Sequence, residues 1–284
     1  KAIFGYGKTS SDVSLTNLVN SSGVVAADVT GVGTARNNLA ASSYGGDKAI
    51  FGYGRTSTQV SMTNLVNNSG VVATDVSGVG TARQSLAAAS YGGDKAIFGY
   101  GTDSSLTNLV TNQGVVGNDV SGVGTARNDL AAASYGGDKA IFGYGYYYSG
   151  GVVNYSLTNK VSNSGVVASD TTGVGTARYL LAAAGYGGDK AIFGFGTTGS
   201  VTGLTNLVSN TGVVAANVSA VGTARKGLAA AGYGGDKAIF GYGTTGSLTA
   251  ITNLVNSSGV VASDVSGVGT AREKLAAAGF SYSA

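Results

Sequence analysis

Cysteine, histidine, tryptophan and proline are all absent from this 284-residue chain. Each absence removes a class of chemistry. Without cysteine there is no disulfide, no thiol nucleophile and no thiolate metal centre, and without histidine the common zinc and copper ligands are missing. A Ser-His-Asp triad is excluded by the same count. Charge is scarce: Asp, Glu, Lys and Arg make up 11% of the residues, with a formal net charge of +3. No apolar run approaches the ~20 residues of a membrane-spanning helix, so membrane insertion is not expected. The opening KAIFGYGKTS has neither an initiator Met nor the charged and apolar pattern of a signal peptide, and the chain reads as a mature or excised piece.

What is present is repetition. YGGDKAIFGYG, residues 44–54, returns at 91, 135 and 233, and once more at 186 with Phe195 in place of the later Tyr. Aligned on the Lys of KAIF, units 1–47, 48–94, 95–138, 139–189, 190–236 and 237–284 fill the chain as one domain, 1–284, with no linker. A period in the forties points to a propeller blade or a solenoid repeat. From the Thr of each TN to the Arg of each TAR is always 20 residues, and from each internal Arg to the next Lys always 12. All insertion and deletion falls in the segment after KAIFGYG, where the Lys-to-Thr distances are 15, 15, 12, 19, 15 and 15.

Each unit reads as four short strands. KAIFGY and LTNLVN alternate as half-buried strands do, VVAADV follows a Ser-Ser-Gly turn, and LAASSY follows TGVGTAR. The stretch GTARNDLAAASYGG also fits a short helix, capped by Thr125 and stopped by Gly136. Bunched apolar residues and the hairpin-like Tyr-Gly-Gly-Asp-Lys favour the strand. Terminal units as apolar as the middle ones suit a closed ring better than a solenoid, which needs polar caps. The expected fold is therefore all-β: a six-bladed β-propeller of four-stranded antiparallel blades, with the C-terminal LAAAGFSYSA completing the blade that residue 1 begins.

The order Arg83, small apolar strand, glycine turn, then IFGYG in LAAASYGGDKAIFGYG resembles the kelch repeat of β-propellers. The resemblance extends over all six units. Gly52-Tyr53-Gly54 stands where kelch repeats have a double glycine, and the later kelch Trp is absent; RCC1-type propeller repeats share the GxG after an aromatic strand. Either resemblance implies a propeller. The copper of the kelch enzyme galactose oxidase has no ligands to bind here, and no cofactor or metal is expected.

In an antiparallel meander, the variable loop after KAIFGYG shares a face with GVGTAR, and that face is the candidate binding surface. The fourth copy is longest, YYYSGGVVNYS, and holds Tyr146, Tyr147, Tyr148 and Tyr155, whose rings suit stacking on sugars or docking on a protein. Arg55, Asp12 and Asp103 are the charged candidates in the other loops. Arg36, Arg83, Arg127, Arg178, Arg225 and Arg272, each eight residues after Asp28, Asp75, Asp119, Asp170, Asn217 or Asp264, read as structural staples; the other reading is an anion-binding ring of Arg. Outside the repeated Lys, Arg and Asp positions stand five basic and four acidic residues, spread along the chain, so nucleic acid is not an expected partner.

Few ionisable groups in the loops leave a glycan-processing enzyme the weakest reading. A non-enzymatic recognition module comes first, binding a surface glycan or a partner protein of a larger assembly. Polar, Cys-free, Gly-rich β repeats resemble phage tail-fibre and appendage domains, which implies a virion or extracellular surface. A purely structural or decoration propeller, and a consensus-designed one without a ligand, are the alternatives. The sequence sets no oligomeric state.

Overall fold

The computed structural model describes residues 1–219 and 221–281, and no helix occurs among them. The strands are β1 (Ala2–Gly5), β2 (Thr16–Val19), β3 (Ala40–Tyr44), β4 (Lys48–Gly52), β5 (Thr63–Val66), β6 (Ala87–Tyr91), β7 (Lys95–Gly99) and β8 (Thr107–Val110). Next come β9 (Ala131–Tyr135), β10 (Lys139–Gly143), β11 (Tyr146–Tyr148), β12 (Val152–Asn154), β13 (Thr158–Val161), β14 (Ala182–Tyr186), β15 (Lys190–Gly194) and β16 (Thr205–Val208). The last are β17 (Ala229–Tyr233), β18 (Lys237–Gly241), β19 (Thr252–Val255) and β20 (Ala276–Gly279).

Eighteen of them form six three-stranded antiparallel sheets, ordered β20-β1-β2, β3-β4-β5, β6-β7-β8, β9-β10-β13, β14-β15-β16 and β17-β18-β19, here the first to sixth sheets, and β11 and β12 form a separate two-stranded sheet. The first sheet joins the two ends of the chain, with Ile3 opposite Ala278 and Leu18. Residues 282–284 of the segment expected to close it lie outside the described residues. β3, β6, β9, β14, β17 and β20 each touch the next, and β20 returns to β3, so the inner strands follow one another in a closed succession. Neighbouring sheets pack by side chains and are not hydrogen-bonded into one continuous sheet.

The middle strand of each sheet is buried on both faces, which accounts for its unbroken AIFG. Ile50 packs toward the third sheet, beside Ala96, Phe98 and Val110, while Ala49 and Phe51 pack toward the first, beside Ile3 and Tyr6. The Tyr53 and Phe98 ring centroids lie 5.1 Å apart. This closeness needs glycine at the strand end, because a Cβ on Gly52 would meet Phe98 Cζ at 2.7 Å.

Two expectations change. The helix fitted to GTARNDLAAASYGG does not form: Ala131–Tyr135 is strand, entered through Asp129 at φ +49° and left through Gly136 and Gly137 at +62° and +78°, which a helix cannot contain. The fourth strand expected in each unit is also missing among the described residues. VVAADV, residues 24–29, makes only the single bridges Thr16↔Val29 and Val19↔Val25. Between them the Asn17 side chain donates Nδ2 to the Ala26 carbonyl at 3.0 Å and to Asp28 Oδ1 at 2.9 Å, taking positions that a backbone ladder would occupy. The outward valines, such as Val24 at 61% exposure, therefore line an open outer edge.

Gly52→Ala is expected to destabilise the fold by about 1–3 kcal/mol through overpacking against Phe98. Gly46→Ala, with open space around it but φ +80°, is expected to lose about 1 kcal/mol. Urea unfolding of the two variants checks the order.

Candidate functional site

The repeated arginines set the frame on which the variable segments stand. Arg36 is fully buried, with Nε donating to the Tyr53 carbonyl at 2.9 Å, Nη1 to the Thr34 carbonyl at 3.1 Å and Nη2 to Asn64 Oδ1 at 2.7 Å. Its guanidinium lies 4.3 Å from the centroid of Tyr6, in the sheet before. All six arginines stack on an aromatic ring in this way, Arg225 on Phe195. Burial of the ring pushes the Tyr53 and Tyr100 phenols up to about 12, so they stay neutral.

The staple reading is correct in kind and wrong in partner. Arg36 does not meet Asp28, eight residues before it; its carboxylate is Asp75, at 3.9 Å. Likewise Arg83 meets Asp119 at 3.4 Å and Arg272 meets Asp28 at 4.0 Å. Arg36 leads into β3, which pairs with strands of the next sequence unit, so its partners Tyr53, Asn64 and Asp75 all come from that unit. An anion-binding Arg ring is ruled out by geometry, since all six arginines are at most 1% exposed.

Burial would raise the Asp75 carboxyl, but Thr34 Oγ1, Asn64 Nδ2 and the Thr34 amide donate to it, Arg36 adds its charge, and its pKa falls below the ordinary value. Asp28, Asp119, Asp170 and Asp264 are lowered by the same set of donors. In the fifth sheet Asn217 replaces the carboxylate, accepting from the Thr176 amide and donating Nδ2 to Thr176 Oγ1.

Beyond each Arg the chain turns onto the axis. The amides of Asn38, Ser85, Asp129, Leu180, Gly227 and Lys274 each donate to the carbonyl of the preceding member, and Asn38 to Lys274, closing a ring of backbone hydrogen bonds of 2.7–3.0 Å. All six residues are left-handed, with φ between 49° and 63°. At the other end of the axis, the amides of Gly45, Gly92, Gly136 and Gly187 donate to the Asp94, Asp138, Asp189 and Asp236 carbonyls of the constant YGGD turns.

The two ends thus differ in kind. The variable loops meet the residues after TAR, as the meander argument expects: Lys8 bridges Glu273, Arg55 bridges Asn37, Tyr146 bridges Asn128, and Thr197 bridges Tyr179. These post-Arg residues were missed as site candidates. Their signal was in the sequence, because the pair after TAR reads NN, QS, ND, YL, KG and EK in the six units. Of the nine charges outside the repeated positions, all but Lys160 lie on this end, four basic (Lys8, Arg55, Lys226, Lys274) and four acidic (Asp12, Asp103, Asp129, Glu273). Lys160 sits on β13 and donates to the Thr211 carbonyl.

The sequence-chosen residues divide. Tyr146–Tyr148 form β11, paired with β12 as a hairpin with Tyr147 opposite Val153, and Tyr148 is 61% exposed. The Tyr155 amide donates to the Gly145 carbonyl and anchors the hairpin base. Tyr146 turns inward, its ring centroid 4.9 Å from that of Tyr179 and the planes at 59°. Burial raises its phenol pKa, and the charges of Asp129 and Asp103 and the neighbouring Tyr179 add to the rise. Asp103 accepts from Asn128 Nδ2 at 2.6 Å, while its amide donates to Asn128 Oδ1 at 3.0 Å. Asp12 accepts from Asn37 Nδ2 at 2.6 Å. Asp12 and Arg55 belong to the loops of the first and second sheets and do not join the Tyr146 cluster.

Asp129, at the hub, is raised by burial, offset in part by a Ser85 hydrogen bond and the charge of Lys274. Among the described residues no group of His, Cys, Asp or Glu could hold a metal ion. No protein-family model matches this chain, and no curated protein matches it in sequence.

Two pH responses follow. The lowered aspartates stabilise the fold above the ordinary Asp value of about 4, and this stability is lost as pH falls through their folded values. Thermal melts are therefore expected to drop below pH of about 4, and Asp75→Asn to cost no more than about 1 kcal/mol at pH 7, since Asn217 already serves one sheet. Asp129 has the opposite sign: a carboxyl raised by burial stabilises only while protonated, and its contribution is lost as pH rises. Asp129→Asn is expected to raise the melting temperature at pH 7 and leave it unchanged near pH 3.

Proposed function

We propose that this chain is a six-bladed β-propeller of kelch-like or RCC1-like kind, its fourth blade strands reduced to paired bridges, acting as a non-enzymatic recognition module. It binds a surface glycan or a partner protein through the loops after KAIFGYG and the residues that follow each TAR. The observation that carries this reading is the segregation of change. Loop length, the unrepeated charges other than Lys160, the post-Arg pairs and the Tyr hairpin all fall on one end, while the YGGD turns at the other end stay constant. Drift without selection has no reason to respect an axis. Recognition does, because loops on a rigid frame can change without disturbing the core.

A polar surface rich in Ser, Thr, Asn and Gly suits a virion or cell-surface setting, as in the tail-fibre domains the repeats resemble. A decoration propeller is the second reading, favoured by the open valine edge. A glycan array of the whole chain, run beside a variant with residues 146–155 replaced by the TTGS of the sixth unit, tests the proposal. Binding lost in the variant is the expected result. Equal binding moves recognition to the repeated positions, and no binding by either protein favours the decoration reading.

A further inference from the structure

Resting on the recognition reading above, we propose that the variable end carries one asymmetric site for a neutral sugar, in which Tyr146 and Tyr179 form the stacking surface and Asp103, Asn128 and Asp129 the polar edge. The units supply these residues unequally. Among the described residues Tyr146 and Tyr179 are the only ring pair outside the six repeated inter-sheet pairs, and they come from the loop of the fourth sheet and the entry to the fifth. Both are half-buried. A pyranose offers an apolar C–H face and a rim of hydroxyls, and a tilted aromatic pair flanked by acceptors complements both.

The polar edge is held in place before any ligand arrives. Asn128 fixes Asp103 by the two hydrogen bonds described and fixes Tyr146 by a reciprocal backbone pair of 2.7 and 2.9 Å. Asp103 and Asp129 sit at φ +53° and +49°, left-handed positions that L residues occupy at a cost and that concentrate at functional sites. The Asp129 carbonyl accepts from the Leu180 amide, which ties the residue beside Tyr179 to the same corner.

The neighbouring backbone is fixed as well: Asn154 pairs with Tyr146 across the hairpin, and the Gln84 amide donates to Thr102 Oγ1, next to Asp103. Charge selects the ligand class. Four basic and four acidic side chains balance on this end, and Asp129 has Lys274 near it, so neither a polyanion nor a polycation gains from long-range attraction.

The test is binding of printed neutral oligosaccharides by the whole chain and by Tyr179→Ala, Tyr179→Phe, Asp129→Asn and Lys160→Ala, with each variant's melting temperature recorded. For the glycans bound by the wild type, Tyr179→Ala is expected to weaken binding about tenfold or more, while Tyr179→Phe stays within about threefold. Asp129→Asn is expected to bind less tightly while melting higher at pH 7, a combination that a purely structural residue does not give. Lys160→Ala, on β13 and away from the variable end, is expected to bind as the wild type does. Glycan binding that survives both Tyr179→Ala and Asp129→Asn overturns this site and leaves the recognition reading standing. Absence of binding to any printed neutral glycan overturns the sugar assignment, and loop-dependent binding to a protein would then identify the other ligand class.

Discussion

A guanidinium sealed from water must find acceptors for its N–H groups or forfeit several kcal/mol; this structure buries six, and meets the demand most fully at Arg36, Arg83 and Arg272. Arg36, Arg83 and Arg272 each draw a backbone carbonyl from just past the middle strand, an asparagine from the outer strand and, through the TAR threonine, a carboxylate from the outermost segment. One side chain therefore fixes the spacing of four consecutive chain segments. Its flat face then lies on the aromatic residue of the preceding sheet, so the same group also couples neighbours. The constant spacing from Thr16 to Arg36 and from Arg36 to Lys48 is the sequence trace of this geometry. Any insertion there would pull the guanidinium off its acceptors.

Because the frame is tied from within, the axis can hold conformations that a looser fold would not retain. Six left-handed residues in a closed ring of amide-to-carbonyl bonds are strained one by one, yet each is held by both of its ring neighbours. Only Gly227 adopts such a φ without a Cβ penalty. Asn38, Ser85, Asp129, Leu180 and Lys274 instead keep side chains at the centre of the variable end, and Asp129 bears a desolvation cost there as well. Stability has been given up locally at the place where the copies differ most.

The same logic explains why the outer edge is loose. The carbonyl of Ala26 is satisfied by Asn17, and the carboxylate of Asp28 by Asn17 and Thr270, so side chains supplement the few backbone bonds of the outermost segment and no full ladder forms. A broken ladder also leaves a poorer template for edge-to-edge pairing than a continuous strand of exposed valines.

Much of this was legible before any coordinates. The period, the place of the length changes and the strand-length apolar runs gave six equivalent β units and a variable end, because apolar runs and repeat spacing are local properties of the chain; that KAIFG is buried on both faces, and not half-buried as its alternation suggested, was set by the packing of neighbouring sheets. The sequence also favoured structural arginines, since a charge repeated in every unit suits the frame, but their burial, which excludes an exposed Arg ring, came from the structure. It could not pair them. Asp28 is nearer to Arg36 along the chain, but the inner strand crosses to the next unit's sheet and carries Arg36 to Asp75 instead. Nor could it tell that VVAADV stops short of a strand, because the deciding hydrogen bonds come from the Asn17 side chain. The meeting of Tyr146 with Tyr179, Asp103 and Asp129 was likewise decided only by the tertiary structure: the four residues lie up to 76 positions apart in two units, and nothing local brings them together until the sheets pack.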